Sequence, residues 1–464
     1  SIYKLQAISL IESIVICLIS YILALFIVND LSYTPIANWV DADIRLSQYK
    51  GLILLTALIA ILTGCLAGLY PAIRSTSYAP ALVLKGSFGL SPKGKKVRVA
   101  LIGFQYTVSI ALIIVTLFMG LQNHFMTSSE QLGFNKDQVA IVNLTPEIYA
   151  KHKPQYIQKL KDYPGIEDVA FSVYELSKED DMIDLEYARH EDKDVFFKVF
   201  YASENFLSVM DIQVEEGRDF TREDLNKAQS DYIINPAAER DFHLHPGDRF
   251  NDRTVLGVSK DFRFNSCRIA SSPFVFALNN DIPNPKLVSY IRFNSKTNLQ
   301  EAVAHVRETL KEIDPTFPFE ISFYNTILNN LYQKEQTLGK LISLFGIMAI
   351  LISIVGVFGL VLFETQYRRK EIGIRKINGA TTGQILLMFN KTYIRIVSVC
   401  FIISIPIAWM GTQQWLENFA YKTPLHLWVF IVAFLIILSV TIGTVTFRNW
   451  QAANENPVNS VKSE

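Results

Sequence analysis

LISLFGIMAILISIVGVFGLVLF, residues 341 to 363, is a run without one charged residue. A helix needs about 20 apolar residues to cross the hydrocarbon core of a bilayer, and this run is long enough. Five further runs share its character. With residues 341 to 363 they are residues 8 to 28, 52 to 73, 99 to 121, 392 to 412 and 427 to 447. The sequence therefore predicts six transmembrane helices, because helices in a soluble core rarely stay apolar on every side over such a length.

The composition agrees with this prediction. Half of the 464 residues are hydrophobic, yet the chain carries 44 acidic and 44 basic side chains, so the apolar residues must be concentrated in blocks. The four cysteines lie far apart and indicate no disulfide framework. Because the chain opens with Ser1 and enters an apolar run almost at once, we expect that an N-terminal part precedes it in the complete protein.

Basic residues between the apolar runs assign the two sides of the membrane. Residues 74 to 98 contain six basic residues and no acid, and residues 364 to 391 contain six basic residues and two acids. Short basic loops tend to stay in the cytoplasm. Six crossings then place residues 29 to 50, 122 to 340 and 413 to 426 on the opposite side. The fold class predicted is an α-helical polytopic membrane protein with a large extracytoplasmic α/β domain.

The long polar stretch, residues 122 to 340, carries 25 basic and 35 acidic residues and forms a domain of its own. It opens with a strand, a helix over residues 147 to 162 and a second strand from Ile166, a βαβ pattern. The short alternating segments KVFYA, DYIIN and TVLGVSKDF follow, and then a helix over residues 298 to 313. We expect an α/β half and a more β-rich half.

Little in this domain indicates catalysis, and we predict a chain that is not an enzyme. His243 and His245 are candidate metal ligands, but no cysteine or third histidine lies nearby in the sequence, which favours surface turn residues. The acidic segment KEDDMID, residues 178 to 184, lacks the glycine and final glutamate of a calcium loop, which favours a solvated acidic loop.

The stretch GLSPKGKK, residues 89 to 96, resembles a phosphate-binding loop. Its last position is Lys96, where that motif needs a hydroxyl to hold magnesium, and a membrane helix follows at once. We interpret residues 74 to 98 as a basic linker that enforces topology. If the protein depends on ATP, another chain binds it.

The cytoplasmic segment 364 to 385 includes RRKEIGIRKINGATTGQI, residues 368 to 385. Helical spacing places Ile372 with the basic residues of one face, Arg368, Arg369, Arg375 and Lys376, and it turns Ile374 and Ile377 the other way. Gly373 weakens the case for one continuous helix, and Gly379 is placed to end it. Thr381 and Gln384 fit a capping box for the next helix.

Two parts of the chain resemble each other. Residues 70 to 86 and the last residues each carry an Arg just past the membrane and a Pro with a Lys five positions later, and the stretches from Leu5 and Leu386 also match loosely. Related halves are common in transporters. The predicted domains are therefore the end of a first repeat and a second repeat. They comprise two helices of the first repeat (1 to 73), the linker (74 to 98), the first helix of the second repeat (99 to 121), the outer domain (122 to 340), three helices (341 to 447) and a cytoplasmic tail (448 to 464).

At several places the sequence resembles the permease subunits of ABC systems of the MacB and FtsX type. The stretches that carry the resemblance are QYRRKEIGIRKINGAT from Gln366, NFLSVMDIQVEEGRDF from Asn205, DYIINPAAER from Asp231, VLGVSKDFRFNSCR from Val255 followed by PFVF, and FEISFYNTILNNLYQKEQ from Phe319. Asn378 departs from the pattern, since many relatives carry Leu there.

The resemblance implies a duplicated permease without a fused ATPase domain, in the bacterial cytoplasmic (inner) membrane. It implies a separate ABC ATPase that docks on the cytoplasmic side and supplies ATP and magnesium, with no cofactor or metal in this chain. The residues it assigns to ATPase coupling are Arg368, Arg369, Lys370, Glu371, Arg375, Lys376 and Gly379. Further partners are a periplasmic adaptor, an outer-membrane channel or a hydrolase, and membrane lipid, with no nucleic acid.

Two alternatives stay open. The chain is either a permease for export or extraction of a substrate, or an FtsX-like regulatory scaffold that controls a cell-wall hydrolase or senses a peptide. The basic residues of segment 364 to 385 also have a plainer interpretation, since they can fix topology and bind anionic headgroups at about 1 kcal/mol each. An ion-coupled transporter is disfavoured, because Glu12 and Arg395 lie near cytoplasmic helix ends.

Overall fold

The computed structural model describes residues 2–34, 49–75, 92–128, 132–177, 184–227, 229–263, 266–278 and 287–454. These residues group into two compact units. The membrane unit comprises Ser1–Leu117, Thr337–Trp409 and His426–Glu464, and the outer unit comprises Phe118–Gln336 and Met410–Leu425. The second part of the outer unit, residues 410–425, includes all of the outer loop predicted at residues 413 to 426 except His426.

In chain order the α-helices are α1 (Ile2–Leu31), α2 (Lys50–Ser75), α3 (Pro92–Thr127), α4 (Lys153–Lys161), α5 (Phe206–Met210), α6 (Pro236–Phe242), α7 (Leu299–Ile313), α8 (Tyr324–Leu331), α9 (Gln333–Tyr367), α10 (Arg369–Ile377), α11 (Thr382–Leu416) and α12 (Leu427–Asn454). In the described part of the chain, six of them are long and apolar enough to cross a membrane. These six are α1, α2, α3, α9, α11 and α12, so each predicted apolar run falls within one helix.

Helices α1 and α2 form a closely packed hairpin through small residues. A Cβ atom on Gly68 would lie 2.8 Å from the Cβ of Ser13, and one on Gly64 would lie 2.9 Å from the Cα of Ile14. Glycines four residues apart allow such close approach of two membrane helices. The hydroxyl of Tyr21 also donates to the carbonyl of Ile53 at 2.6 Å. The predicted internal repeat stays a prediction, because its marker residues at 76–91 and 455–464 lie outside the described residues.

Helices α3 and α9 are antiparallel neighbours joined by polar and small residues. The hydroxyls of Ser109 and Ser353 lie 3.0 Å apart. Gly356 lies beside Gln105, whose Oε1 would be 3.0 Å from an added Cβ. Tyr106 bonds Thr441 of α12 at 2.9 Å. The membrane unit is therefore held by hydrogen bonds as well as by apolar packing.

The outer unit is built on one mixed sheet. Its strands are β1 (Val139–Leu144), β2 (Ile166–Ser172), β3 (Asp184–His190), β4 (Lys193–Ala202), β5 (Val214–Gly217), β6 (Tyr232–Ile234), β7 (Arg249–Phe250), β8 (Arg253–Ser259), β9 (Phe274–Leu278), β10 (Leu287–Phe293) and β11 (Ile321–Phe323). Their order is β11-β1-β10-β2-β4-β9-β6-β8-β5, with β3 paired to β4 and β7 to β8.

The sheet has the two halves that the sequence predicts. Strands β1 and β2 both pair antiparallel to β10, so they run parallel to each other, as a βαβ unit requires. The halves meet at a single β2–β4 pair, Ser172 with Ala202. Helices α4 and α7 cover one face of the α/β half through Leu160 and Val306. Helix α6 covers a face of the β-rich half, and its cap Asn235 accepts from the Ala238 N–H at 2.9 Å.

Several predicted boundaries need adjustment. The helix predicted over residues 147 to 162 opens with a π-helical turn, Ile148–His152, before α4 begins. Helix α9 starts at Gln333, inside the region predicted as outer domain. Residues 178–183 of the acidic segment and residues 89–91 of the phosphate-loop resemblance lie outside the described residues. Gly94 and Lys96 of that stretch lie within α3.

Candidate functional site

The segment predicted for ATPase coupling, residues 364–385, begins in the last turn of α9. The Arg368 N–H donates to the carbonyl of Glu364 at 3.0 Å, and the Ile372 N–H donates to the carbonyl of Arg368 at 2.9 Å. Backbone hydrogen bonds of Arg368 therefore link the last turn of α9 to the first turn of α10. Helix α10 also continues through Gly373, so the glycine does not interrupt it.

Gly379 ends α10 with a left-handed turn. Its φ is +86°, and its N–H donates to the carbonyl of Lys376 at 3.0 Å. The next N–H, of Ala380, donates to the carbonyl of Arg375 at 3.0 Å. These two bonds are the Schellman pattern, which satisfies carbonyls that a helix end leaves unpaired.

Helix α11 begins with two reciprocal hydrogen bonds. The Thr381 N–H donates to Gln384 Oε1 at 3.0 Å, and the Gln384 N–H donates to Thr381 Oγ1 at 3.3 Å. These are the bonds of a capping box. Only Ala380 and Thr381 separate the Gly379 turn from the first residue of α11, so the connection between the two helices is short, and the N–H groups of residues 379 to 381 are all hydrogen-bonded.

The two faces of α10 differ. Ile372 is buried, at 3% exposure, while Ile374 and Ile377 are 56% and 65% exposed. Arg375 pairs with Glu371 at 2.9 Å, and both side chains are about half exposed. The single basic face expected from the sequence is thus divided, because its central residue Ile372 packs inward. The apolar edge of Ile374 and Ile377 lies at the surface.

The remaining predicted coupling residues are less informative. Lys376 is half-buried, and the side chains of Arg369 and Lys370 lie outside the described residues. Asn378 is exposed and follows the last residue of α10.

Arg368 points toward a buried acid rather than toward the exposed edge. Its guanidinium lies 2.9 Å from Glu364 Oε1, and its side chain is 26% exposed. The hydroxyl of Tyr393, on α11, donates to Glu364 Oε2 at 3.3 Å. Glu364 therefore links the end of α9, the start of α10 and helix α11. The only sequence signal for it was an acid at the end of an apolar run with an Arg four residues later.

Polar contacts join the inner ends of α9, α11 and α12 as well. Thr365 donates to Asn449 at 2.6 Å, and Asn390 donates to Thr446 at 2.9 Å. Because buried polar groups are costly unless paired, such bonds favour one arrangement of the helices. The inner ends of these three helices therefore have a defined arrangement beside the predicted coupling segment.

Of the two histidines singled out from the sequence, His245 is the one that lies near other possible ligands among the residues that the structure describes. Its side chain and those of Glu216 and Glu239 bring one ligand atom each within 4.8 Å of one another. His245 Nδ1 lies 3.6 Å from Glu239 Oε1, and the histidine side chain is 70% exposed. Such exposure favours surface turn residues over a metal site. His243 instead ends α6 with a φ of +53°.

The six membrane-length helices and the mixed sheet domain define the class, a helical membrane protein with a large extracytoplasmic domain. This confirms the fold class predicted from the sequence. A protein-family model described as the FtsX-like permease C-terminal domain matches residues 343–457, from α9 through α12.

Curated relatives agree with this match. The chain is 25% identical over 212 residues to the macrolide export ATP-binding/permease protein MacB of Aggregatibacter actinomycetemcomitans, which covers 43% of this chain and 32% of that protein. MacB of Neisseria gonorrhoeae is 25% identical over 223 residues, which covers 45% of this chain and 34% of the relative. The chain therefore spans about a third of the length of these relatives.

Two solved structures have chains that are similar to part of this one. The periplasmic region of MacB from Actinobacillus actinomycetemcomitans has a TM-score of 0.32 at 15% identity, covering 43% of this chain and 94% of that one. The extracellular domain of the ABC-type transporter YknZ has a TM-score of 0.30 at 15% identity, covering 39% of this chain and 99% of that one.

The family model and the curated relatives confirm the resemblance drawn from the sequence, which is to ABC permeases of the MacB/FtsX family. Members of this family are membrane subunits of ABC transporters and are generally not catalytic.

Proposed function

We propose that the chain couples ATP hydrolysis by a separate ATPase to motion of its extracytoplasmic domain, for export or extraction of a substrate across the envelope. The protein lies in the bacterial inner membrane, with the coupling segment in the cytoplasm. ATP and magnesium bind to the ATPase. This chain supplies the surface on which the ATPase docks and the helices that move.

The exposed apolar edge of α10 carries this proposal. Ile374 and Ile377 are large apolar side chains at the surface of a short helix that lies between two membrane helices. Exposed apolar groups next to charges favour a protein-binding surface. Arg375 and Glu371 lie on the same helix and supply polar contacts at its rim.

The attachment of α10 supports transmission of force. Its first end is continuous with α9 through Arg368, and its second end is fixed by the Gly379 turn and the Thr381 cap. A displacement of α10 by an ATPase therefore moves the ends of α9 and α11 together. Helix α9 follows the last helix of the outer domain, α8, directly, so this displacement reaches the domain outside the membrane.

Purification of the full-length protein from native membranes tests the proposal. We expect an ABC ATPase to copurify, and an adaptor or outer-membrane channel beside it supports export. A copurified cell-wall hydrolase instead supports the regulatory scaffold. Absence of any ATPase, together with no stimulation of candidate ATPases by the reconstituted chain, contradicts the proposal. The variant Ile374→Asp should reduce the copurified ATPase, while Ile374→Leu should retain it.

A further inference from the structure

The loop between α11 and α12 is bound into the outer unit through Tyr421. The Tyr421 N–H donates to the carbonyl of Cys267 at 3.0 Å, and its hydroxyl accepts from the Ser271 N–H at 3.1 Å. Backbone and side chain of one residue thus hold both ends of the segment 267–271. This segment precedes β9 and belongs to the β-rich half of the domain.

Tyr421 also binds the outer end of α3. The buried side chain of Gln122 donates to the carbonyl of Tyr421 at 3.1 Å, and its Oε1 accepts from the Thr423 N–H at 2.8 Å. The Gln122 amide therefore makes one donated and one accepted hydrogen bond with the loop backbone, as a residue of a neighbouring β-strand would. A buried amide that makes both bonds fixes the position of the loop, because separating them would leave polar groups unpaired.

Two arginines of the outer domain stack on aromatic residues of the same loop. The guanidinium of Arg263 lies 4.1 Å from the centre of the Tyr421 ring, and that of Arg268 lies 4.9 Å from the Phe419 ring. Arg268 also pairs with Glu335, in the first turn of α9, at 2.7 Å. Cation–π contacts of this kind attract the arginines to the loop, more strongly at the half-buried Arg263 than at the exposed Arg268. We call the set Gln122, Arg263, Cys267, Arg268, Glu335 and Tyr421 the outer junction.

The chain connectivity explains why the contacts of the outer junction matter for transmission of movement. Helices α3 and α9 reach the outer domain covalently, through the chain that leads to β1 and through α8. Helices α11 and α12 do not, since they are joined to each other by the loop that contains Tyr421. Motion that enters α11 from α10 can act on the outer domain through this loop only by noncovalent contacts.

We infer that Tyr421 is a positioning residue for coupling, and that the α11–α12 loop is a third connection through which movement of the membrane helices reaches the outer domain. This inference rests on the proposed function and assigns a route to it. The receiving segment is 267–271, next to β9 at the centre of the β-rich half. The other two connections enter at β1 and leave from α8, in the α/β half.

Deuterium uptake by residues 266–278 tests the inference in the full-length chain, reconstituted with its ATPase in lipid nanodiscs. Uptake is compared without nucleotide and with ATP trapped by vanadate. We expect Tyr421→Ala to reduce the nucleotide-dependent difference by about threefold or more, the usual size of a coupling change. ATP hydrolysis should continue, and the helix α4 region should keep its wild-type uptake, which shows that the domain is folded.

Lys422→Ala is the matched control, because Lys422 is exposed and adjacent in the same loop. It should retain the wild-type difference. Tyr421→Phe keeps the ring against Arg263 and loses only the Ser271 bond, so it should lie between the two. An unchanged difference in Tyr421→Ala overturns the inference and leaves the proposed function standing. Absence of any nucleotide-dependent difference in the wild-type outer domain overturns the proposed function, and the inference with it.

Discussion

The hydroxyl of Tyr393 on α11 donates to the carboxylate of Glu364 on α9 at 3.3 Å, while Arg368 binds the other oxygen of that carboxylate at 2.9 Å. This buried acid is the point where both membrane helices that adjoin α10 meet. Its contacts give the coupling segment a fixed attachment on its inner side. The exposed edge of Ile374 and Ile377 is then free to contact a partner.

Replacement of Glu364 by Gln should weaken the membrane unit. The change leaves Arg368 without its counter-charge in a largely buried position, and we expect the free energy of unfolding to fall by about 2 kcal/mol. Thermal unfolding of the detergent-solubilised chain measures this. Glu371→Gln is the control, because Glu371 and Arg375 form a pair with the same spacing and the same 2.9 Å distance. The side chains of this control pair are about half exposed. That pair should contribute less than about 0.5 kcal/mol, and equal effects of the two variants would contradict the special position of Glu364.

Ile374 and Ile377 should contribute directly to ATPase affinity. Covering each exposed side chain removes apolar surface worth about 1 kcal/mol, so the double variant with Asp at both positions should weaken binding at least about tenfold. The dissociation constant of the ATPase for the reconstituted chain measures the effect. Leu at both positions should preserve binding, and unchanged affinity in the Asp variant would place the docking surface elsewhere.

Gly379→Ala should destabilise the end of α10 through the backbone alone. A Cβ there meets no atom within 4 Å, but the φ of +86° costs an L residue about 1 to 2 kcal/mol. We expect a lower unfolding temperature and weaker stimulation of the ATPase. Gly383→Ala, inside the first turn of α11, provides the opposite case, since alanine favours a helix by up to about 1 kcal/mol over glycine. A harmless Gly379→Ala would show that the turn has another conformation.

Asp224 should give the outer unit part of its pH dependence. Arg218 binds its carboxylate through two nitrogens, at 2.7 and 2.8 Å, and Thr221 donates to it as well. These contacts hold the pKa of Asp224 well below its ordinary value of 3.8. The ionised carboxylate of Asp224 therefore stabilises the fold at pH values above 3.8. This stabilisation is lost as the pH falls toward the pKa of the folded state.

Asp224→Asn should then cost about 2 kcal/mol at neutral pH and progressively less in acid, as measured by amide exchange of β8. Asp219 is the contrasting neighbour, because burial raises its pKa above 3.8. The protonated Asp219 stabilises the fold at low pH, and this stabilisation is lost as the pH rises through the pKa of the folded state. Asp219→Asn should therefore remove a pH dependence of stability that is opposite in sign to that of Asp224. Parallel pH profiles for the two variants would contradict this assignment.

The parts of the fold that follow from local pattern were predictable from the sequence. The apolar runs identify the membrane helices, and the alternating segments around Ile166 and Tyr232 identify strands. Gly379 and Thr381 mark helix ends because the turn and cap depend on residues no more than a few positions apart. Such features need no knowledge of tertiary packing.

Contacts between distant segments were not predictable. Tyr393 lies 29 residues from Glu364, and Tyr421 lies 150 residues from Ser271. Helical spacing also placed Arg368 on one face with Arg375, but it did not show that Ile372 on that face is buried while Arg375 is about half exposed. The position of His245 beside Glu216 depends in the same way on how β5 and α6 pack.

The most direct test of the account is whether ATP binding by the partner moves the outer domain. Spin labels at Asp192, in the turn between β3 and β4, and at Leu427, at the start of α12, report one distance in the reconstituted complex; both positions are exposed. We predict that the distance distribution shifts between the nucleotide-free and the vanadate-trapped states. Identical distributions in the two states, measured while the ATPase is active, would contradict the account.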